Sequence, residues 1–166
     1  MITLSQFNQL DTQEAQALIA PCVNIPRWCR ALVAGRPYRN CHHLLAEASN
    51  LAAQWQAADF YQALEAHPRI GEQSTGSQPE AGLSKEEQSG VDKENTALAA
   101  ALRQANERYE ACFNQVFLIR ARGRSGEEIL PALERRLKNT PQQEYHEALT
   151  QLREITLIRL AGVISE

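Results

Sequence analysis

The sequence predicts an all-α protein, a single-domain bundle of roughly seven helices spanning residues 1–166. Three observations predict it. Apolar residues recur three and four positions apart along nearly the whole chain. Helix-start signatures with a Ser, Thr or Asp at the cap precede several of these runs. No hairpin signal and no internal repeat interrupts them.

Taken in order, Asp11-Thr12-Gln13-Glu14 has capping-box form, and Ala15, Leu18 and Ile19 follow at helical spacing. A short helix over 26–34 is stopped by Gly35 and Pro37. Leu44, Leu45, Ala48, Leu51, Ala52 and Trp55 make the apolar stripe of the next helix. Another runs from Asp59 to Ala66, with Phe60, Leu64 and Tyr61 turned inward. The pattern then stops: residues 69–83 hold Gly71, Gly76, Gly82 and Pro79 and keep no period. A loop that long inside a compact domain is functional or disordered. Helix resumes after Ser84 and runs to about Asn114, with Leu98, Leu102, Ala105, Tyr109 and Cys112 on one face. Gly90 weakens its first turns. A second break covers 116–126, centred on Arg120-Ala121-Arg122-Gly123-Arg124. Ser125-Gly126-Glu127-Glu128 opens a helix to about Lys138. Thr140-Pro141 places a cap before a first-turn proline. The final helix carries Ala148, Leu149, Leu152, Ile155, Ile158, Leu160 and Val163.

A chain of 166 residues can bury one sizeable core, and 43% hydrophobic with 22% charged residues is ordinary globular composition. A formal net charge of −3 argues against nucleic-acid binding, which needs a basic face. No apolar run approaches the ~20 residues of a membrane helix, no signal-peptide pattern opens the chain, and Val163-Ile164-Ser165-Glu166 is not a peroxisomal tail. A cytoplasmic location is therefore expected. Cys22, Cys29, Cys41 and Cys112 contain no CxxC pair and read as reduced thiols packed as small hydrophobes. Cys41-His42-His43 has metal-binding atoms, but neighbours on a helix point about a third of a turn apart and seldom converge on one ion. No metal is expected.

Three segments carry chemistry. His67 precedes Pro68, which disfavours helical geometry in the residue before it, so His67 should end its helix with the ring swung outward. The negative helix end would favour its charged form, which suits a proton donor; a histidine that merely caps a helix has the same sequence. Ser84-Lys85-Glu86-Glu87-Gln88 reads as a capping box of Ser84 with Glu87, itself a complete structural account. The functional alternative has Glu87 and Gln88 presenting a carboxylate and an amide to a ligand rich in N–H groups, such as a ureido group. The arginines around Gly123 would bind a carboxylate through guanidinium forks and free backbone N–H groups, or would form a solvated basic loop. No standard cofactor motif occurs.

Ala66-His67-Pro68-Arg69-Ile70-Gly71, Ser84-Lys85-Glu86-Glu87-Gln88, Asn106-Glu107-Arg108-Tyr109, Phe117-Leu118-Ile119-Arg120-Ala121-Arg122-Gly123-Arg124, Leu133-Glu134-Arg135-Arg136-Leu137-Lys138-Asn139 and Ile158-Arg159-Leu160 follow one another along nearly the whole chain. Each is weak alone, but the ordered set resembles the 2-oxo-4-hydroxy-4-carboxy-5-ureidoimidazoline (OHCU) decarboxylase family. The resemblance implies an all-helical carboxy-lyase that converts this ureido-imidazoline to (S)-allantoin in urate breakdown. It also implies a homodimer that needs neither cofactor nor metal. By position, His67 matches the family's catalytic histidine, with Pro68 beside it. Ser84, Glu87 and Gln88 match substrate-contacting positions, Glu87 being also a candidate to orient the histidine. Ile119 to Gly123 match a segment whose backbone lines the pocket. Arg159 lies in a family-like position, where a structural role serves equally well. One stretch departs: the family often has Phe-Gly-aromatic-x-Phe where this chain has Phe113-Asn114-Gln115-Val116-Phe117. Three rivals stand beside this reading. One is a non-catalytic interaction module that uses the two breaks as partner loops. Another is a metal-dependent hydrolase built on Cys41, His42, His43 and His67. The third is a different ureide decarboxylase on the same fold.

Overall fold

The structure, a computed structural model, describes residues 1–71, 81–91 and 95–166. Of the loop expected over 69–83, residues 72–80 thus lie outside the described residues. The rest is all-α, apart from a pair of two-residue strands among the described residues. The order is β1 (Ile2–Thr3), α1 (Leu4–Gln9), α2 (Thr12–Ile19), a 3-10 turn (Ala20–Cys22), α3 (Pro26–Ala34), α4 (Cys41–Ala52) and α5 (Ala57–Leu64). Then come α6 (Ala81–Glu87), α7 (Thr96–Phe113), α8 (Gly126–Arg136), α9 (Pro141–Val163) and β2 (Ile164–Ser165). No described helix is long and apolar enough to cross a membrane.

The chain divides into two compact units. The first comprises 1–63 and 153–166. In it β1 pairs in parallel with β2, Ile2 opposite Ile164. Thr3 caps α1: its hydroxyl accepts from the Gln6 amide at 3.1 Å, and the Gln6 side chain accepts from the Thr3 amide at 2.9 Å. Asp11 caps α2 by accepting from the Glu14 amide at 2.7 Å. The expected apolar stripe of α4 is buried at Leu44, Ala48 and Ala52, but the helix stops there. Trp55 is buried beyond its end, edge-on to Trp28 with ring centroids 6.2 Å apart. Trp28 donates to the Ala48 carbonyl at 3.1 Å. Phe60 is buried as expected, whereas Tyr61, expected inside, is 49% exposed. Arg159 is buried and donates to the Pro21 carbonyl at 3.2 Å, a structural bond within this unit.

The second unit comprises 64–152. Leu98, Leu102, Ala105 and Tyr109 of α7 face Ile129 and Leu133 of α8, and Ile70, Val91, Phe117, Ile119 and Ala121 close the same core. Cys112, expected on that face, is exposed. The single helix expected from Ser84 to Asn114 is two: α6 ends at Glu87, and α7 starts afresh at Thr96, capped by Asn95, which accepts from the Leu98 amide at 3.0 Å. Ser125 caps α8 by accepting from the Glu128 amide at 3.2 Å. Thr140 and Gln143 form a reciprocal capping box at the start of α9, as expected from Thr140-Pro141.

Candidate functional site

Every candidate residue from His67 to Gly123 falls within the second unit. Helix α5 ends at Leu64, so His67 is not its last residue. The chain has already turned, with the His67 amide donating to the Leu64 carbonyl at 3.0 Å. Pro68 explains this, because it denies His67 helical geometry and the helix gives way upstream. The expected dipole effect weakens accordingly, since it fades within the last turn. His67 and Pro68 are half-buried, and the Nε2 atom of His67 is buried.

The next residues are held tightly. The Ile70 carbonyl accepts from Asn106 Nδ2 at 3.1 Å, and the Gly71 amide donates to Gln88 Oε1 at 3.0 Å. These are the two polar ends of one peptide, gripped by a side chain of α7 and by the residue that follows α6. Gly71 has φ +91°, a conformation that side-chain-bearing residues rarely adopt.

The expected capping box of Ser84 and Glu87 is overturned. Helix α6 begins at Ala81, so Ser84 sits in its interior, where its carbonyl accepts the helical bond from the Gln88 amide at 3.1 Å. A capping serine must lie outside the first turn. Ser84 and Gln88 are four residues apart and share one face. They are only 4% and 6% exposed. Burying two polar side chains on one face of a short helix is not what core packing asks for. Because Gln88 Oε1 receives the Gly71 N–H, what its side chain has left to offer is chiefly the donors of its amide nitrogen. Glu87 is half-buried on the adjoining side.

The second break is non-helical from 114 to 125, and much of it is core rather than solvated loop. Phe117, Leu118, Ile119 and Ala121 are all buried. Asn114 ends α7 in the left-handed region at φ +55°, its amide donating to the Glu110 carbonyl at 2.8 Å. It stands where the resemblance expects a glycine, and asparagine is the side chain that tolerates this region best. Gln115, in place of the aromatic, donates to the Tyr109 hydroxyl at 3.2 Å. The Arg120 amide donates to Gln151 Oε1 at 2.8 Å and is therefore not available to a ligand. The chain then turns at Ala121–Arg124, with the Arg124 amide donating to the Ala121 carbonyl at 3.0 Å and Gly123 at φ +79°. Arg122 lies 3.7 Å from Glu86 of α6. Gly90 packs so close to this turn that a Cβ there would sit 2.7 Å from the Arg124 carbonyl oxygen.

The His67 stretch is thus joined by a hydrogen bond to the residue after α6, and α6 and the turn that follows it meet the arginine-glycine turn through Arg122–Glu86 and Gly90–Arg124. Ile70, Val91 and Ile119 share one core cluster. A cleft of about 410 Å³ lies against Ile70 and Gly71 on the α7 side, lined also by Arg103, Asn106 and Glu107. His67, Ser84, Glu87, Gln88, Ile119 and Gly123 do not line it. In the first unit, His43 Nδ1 accepts from the Arg39 amide at 3.2 Å and its ring stacks edge-on against Tyr38. Among the described residues no group of three His, Cys, Asp or Glu side chains could hold a metal ion.

Sequence reasoning gave no separate role to the buried polar cluster behind this turn. Arg136 of α8 pairs with Glu144 of α9, donates to the Leu118 carbonyl at 2.8 Å, and lies 4.3 Å from the Phe117 ring centroid. Asn139 Nδ2 donates to Glu144 at 3.1 Å and Tyr109 donates to the same carboxylate. Burial, then that carboxylate, push the Tyr109 hydroxyl well above its ordinary pKa. Asn106 entered only as part of a matched motif and was given no role, although a polar residue within the stripe Leu102–Ala105–Tyr109 was a visible signal.

A family model described as OHCU decarboxylase matches residues 8–161. The 2-oxo-4-hydroxy-4-carboxy-5-ureidoimidazoline decarboxylase of Amia calva is 27% identical over 164 residues, covering 97% of this chain and 94% of that protein. The uric acid degradation bifunctional protein PucL of Bacillus subtilis (strain 168) is 26% identical over 173 residues. This chain spans only 33% of that relative's length. A crystal structure of OHCU decarboxylase in the presence of (S)-allantoin superimposes with a TM-score of 0.72 at 25% identity, over 86% of this chain and 94% of that one. A crystal structure of (S)-allantoin synthase gives 0.74 at 18% identity over 99% and 54% of the two chains, a likeness of fold.

Proposed function

Because the chain belongs to the OHCU decarboxylase family, we propose that it is a carboxy-lyase that converts 2-oxo-4-hydroxy-4-carboxy-5-ureidoimidazoline to (S)-allantoin and carbon dioxide in urate breakdown. Residues 1–166 would act as one family domain. The observation that carries this reading is the bond from Gly71 to Gln88. It draws the stretch after His67-Pro68 against the polar buried face formed by Ser84 and Gln88, the positions proposed to contact substrate.

The reaction breaks the bond between the carboxylate and the hydroxyl-bearing ring carbon. The electron pair forms a C=C bond to the ureido-bearing carbon, the ring C=N pair moves onto nitrogen, which takes up a proton, and carbon dioxide leaves behind an enol. A proton then adds to the ureido-bearing carbon, and the hydroxyl loses its own proton to become the ring carbonyl. The substrate supplies its own electron sink. The protein's tasks are to orient the carboxylate, stabilise the enol and deliver the proton to one face. His67 handles that proton, and Pro68 keeps it clear of the helix. Glu87 accepts from ureido N–H groups or orients the imidazole. Gln88 donates from its amide nitrogen to a carbonyl or carboxylate oxygen, and Ser84 adds a hydroxyl on the same face. Backbone groups between Ile119 and Gly123, the Arg120 amide excepted, bind ring oxygen atoms. The family reading also proposes a homodimer, which sedimentation would reveal, and a cytoplasmic location.

The test is turnover of substrate made freshly from urate, followed by the optical rotation of the allantoin. His67→Asn should lose at least ~100-fold in kcat with its helical circular dichroism intact. Near-normal turnover by that variant would remove His67 from the mechanism. Glu87→Gln should lose activity, and a large kinetic loss without a loss of stability would favour the catalytic role.

A further inference from the structure

We propose that Asn106 is a positioning residue that locks the Ile70–Gly71 peptide in the one orientation tying Gln88 to the His67 stretch. Asn106 is 3% exposed, on the buried side of α7. Its Nδ2 donates to the Ile70 carbonyl, while its buried Oδ1 makes no hydrogen bond among the described residues. An amide buried with half its capacity unmet is costly, and leucine would fill the same space without that cost. The bond to Ile70 is what the position gains in return.

That bond restrains a particular motion. A peptide preceding glycine can flip, exchanging the directions of its C=O and N–H, because glycine accepts either sign of φ. At Gly71, with φ +91°, a flip would withdraw the N–H from Gln88 Oε1 and turn the Ile70 carbonyl toward it. Two acceptor oxygens would then face each other, so the Gln88 amide would rotate and present its oxygen where it now presents its nitrogen. Gln88 alone holds only the N–H end. Asn106 holds the other end from a different helix, and together they leave the peptide no second orientation. The consequence for turnover rests on the decarboxylase reading; the consequence for the peptide does not.

The experiment compares the wild type with Asn106→Leu, and with Leu133→Val as a control that loosens the same core without touching the peptide. The Gly71 amide and the Gln88 side-chain amide are followed by ¹H–¹⁵N NMR and hydrogen exchange, and kcat and KM are measured separately. Asn106→Leu should speed Gly71 exchange at least about tenfold, shift the Gln88 side-chain resonances, and lower kcat ~10–100-fold with KM nearly unchanged. Leu133→Val should do none of these. Asn106→Asp, which keeps the volume and loses the donor, carries the same readouts should the leucine variant not fold. Wild-type exchange and Gln88 shifts in the Asn106 variants would overturn the proposal, as would equal effects in Leu133→Val. Absence of turnover in the wild type would count against the decarboxylase reading alone, since the NMR readouts still judge Asn106.

Discussion

Arg136 and Glu144 form an ion pair in which each side chain is 1% exposed, Nη2 to Oε2 at 2.5 Å. Removing two charges from water costs several kcal/mol per ion, and a lone pairing seldom repays it. Here the carboxylate also accepts from Asn139 and Tyr109, and the guanidinium also reaches the Leu118 carbonyl. The pair therefore does more than join α8 to α9. It holds the buried start of the segment that leads into Ile119.

Arg136→Leu should cost about 3–5 kcal/mol, because it leaves Glu144 buried without its partner. Adding Glu144→Leu should restore a large part of that loss. Urea denaturation of both variants checks this, and a single-variant cost under about 1 kcal/mol would mean that the pair is not desolvated.

Alkaline stability should depend on Tyr109. Its hydroxyl is held above the ordinary 10.0 by burial and by Glu144. The unfolded chain therefore releases this proton first. The stabilisation is whole below pH 10 and declines as pH rises beyond it. Tyr38, pushed up to about 12 by burial and Glu47, acts with the same sign. Tyr109→Phe should flatten, but not abolish, the fall in stability above pH 10, as measured by denaturation at a series of pH values.

At Asn114 the left-handed backbone sets a clear order. Alanine should cost about 1–2 kcal/mol, while glycine should be close to neutral or slightly stabilising. Thermal melts of Asn114→Ala and Asn114→Gly would reveal the order, and equal melting points would refute it.

Gly90→Ala should be harmful for a different reason. Its Cβ would meet the Arg124 carbonyl oxygen at 2.7 Å, which is backbone and cannot swing aside. A loss of about 1–3 kcal/mol is expected, with activity falling further than this loss predicts if the displaced turn carries the segment proposed to bind the substrate. Kinetics at a temperature where the variant stays folded would separate the two effects.

Much of this was legible in the residues, and the failures have physical causes. Asp11, Ser125 and Thr140 announced their helices because a cap is a local event, decided within three residues. Thr3 and Gln6 carried the same signal at the N-terminus, and it was passed over. Ser84 and Glu87 carried it too, but falsely: the spacing fits a cap, and only the start at Ala81 shows that the serine lies inside. His67 was placed one turn too deep because a proline limits its neighbour without saying how far back the helix yields. Arg136, Glu144 and Tyr109 had no pattern to find, since their meeting depends on three helices packing. Asn106 was findable as the polar exception in an apolar stripe.

Ser84 and Glu87 ride on α6, and Gln88 directly follows it, as fixed points of a single screw. One residue inserted between Ser84 and Glu87 would rotate the downstream pair by about 100° against the serine. Gln88 would leave the Gly71 amide, and Glu87 would turn away from its present side of the helix. Length changes within these seven helical residues should thus be far less tolerated than point substitutions. A tandem-alanine scan through α6 should reveal that intolerance as a sharp boundary between Ser84 and Glu87.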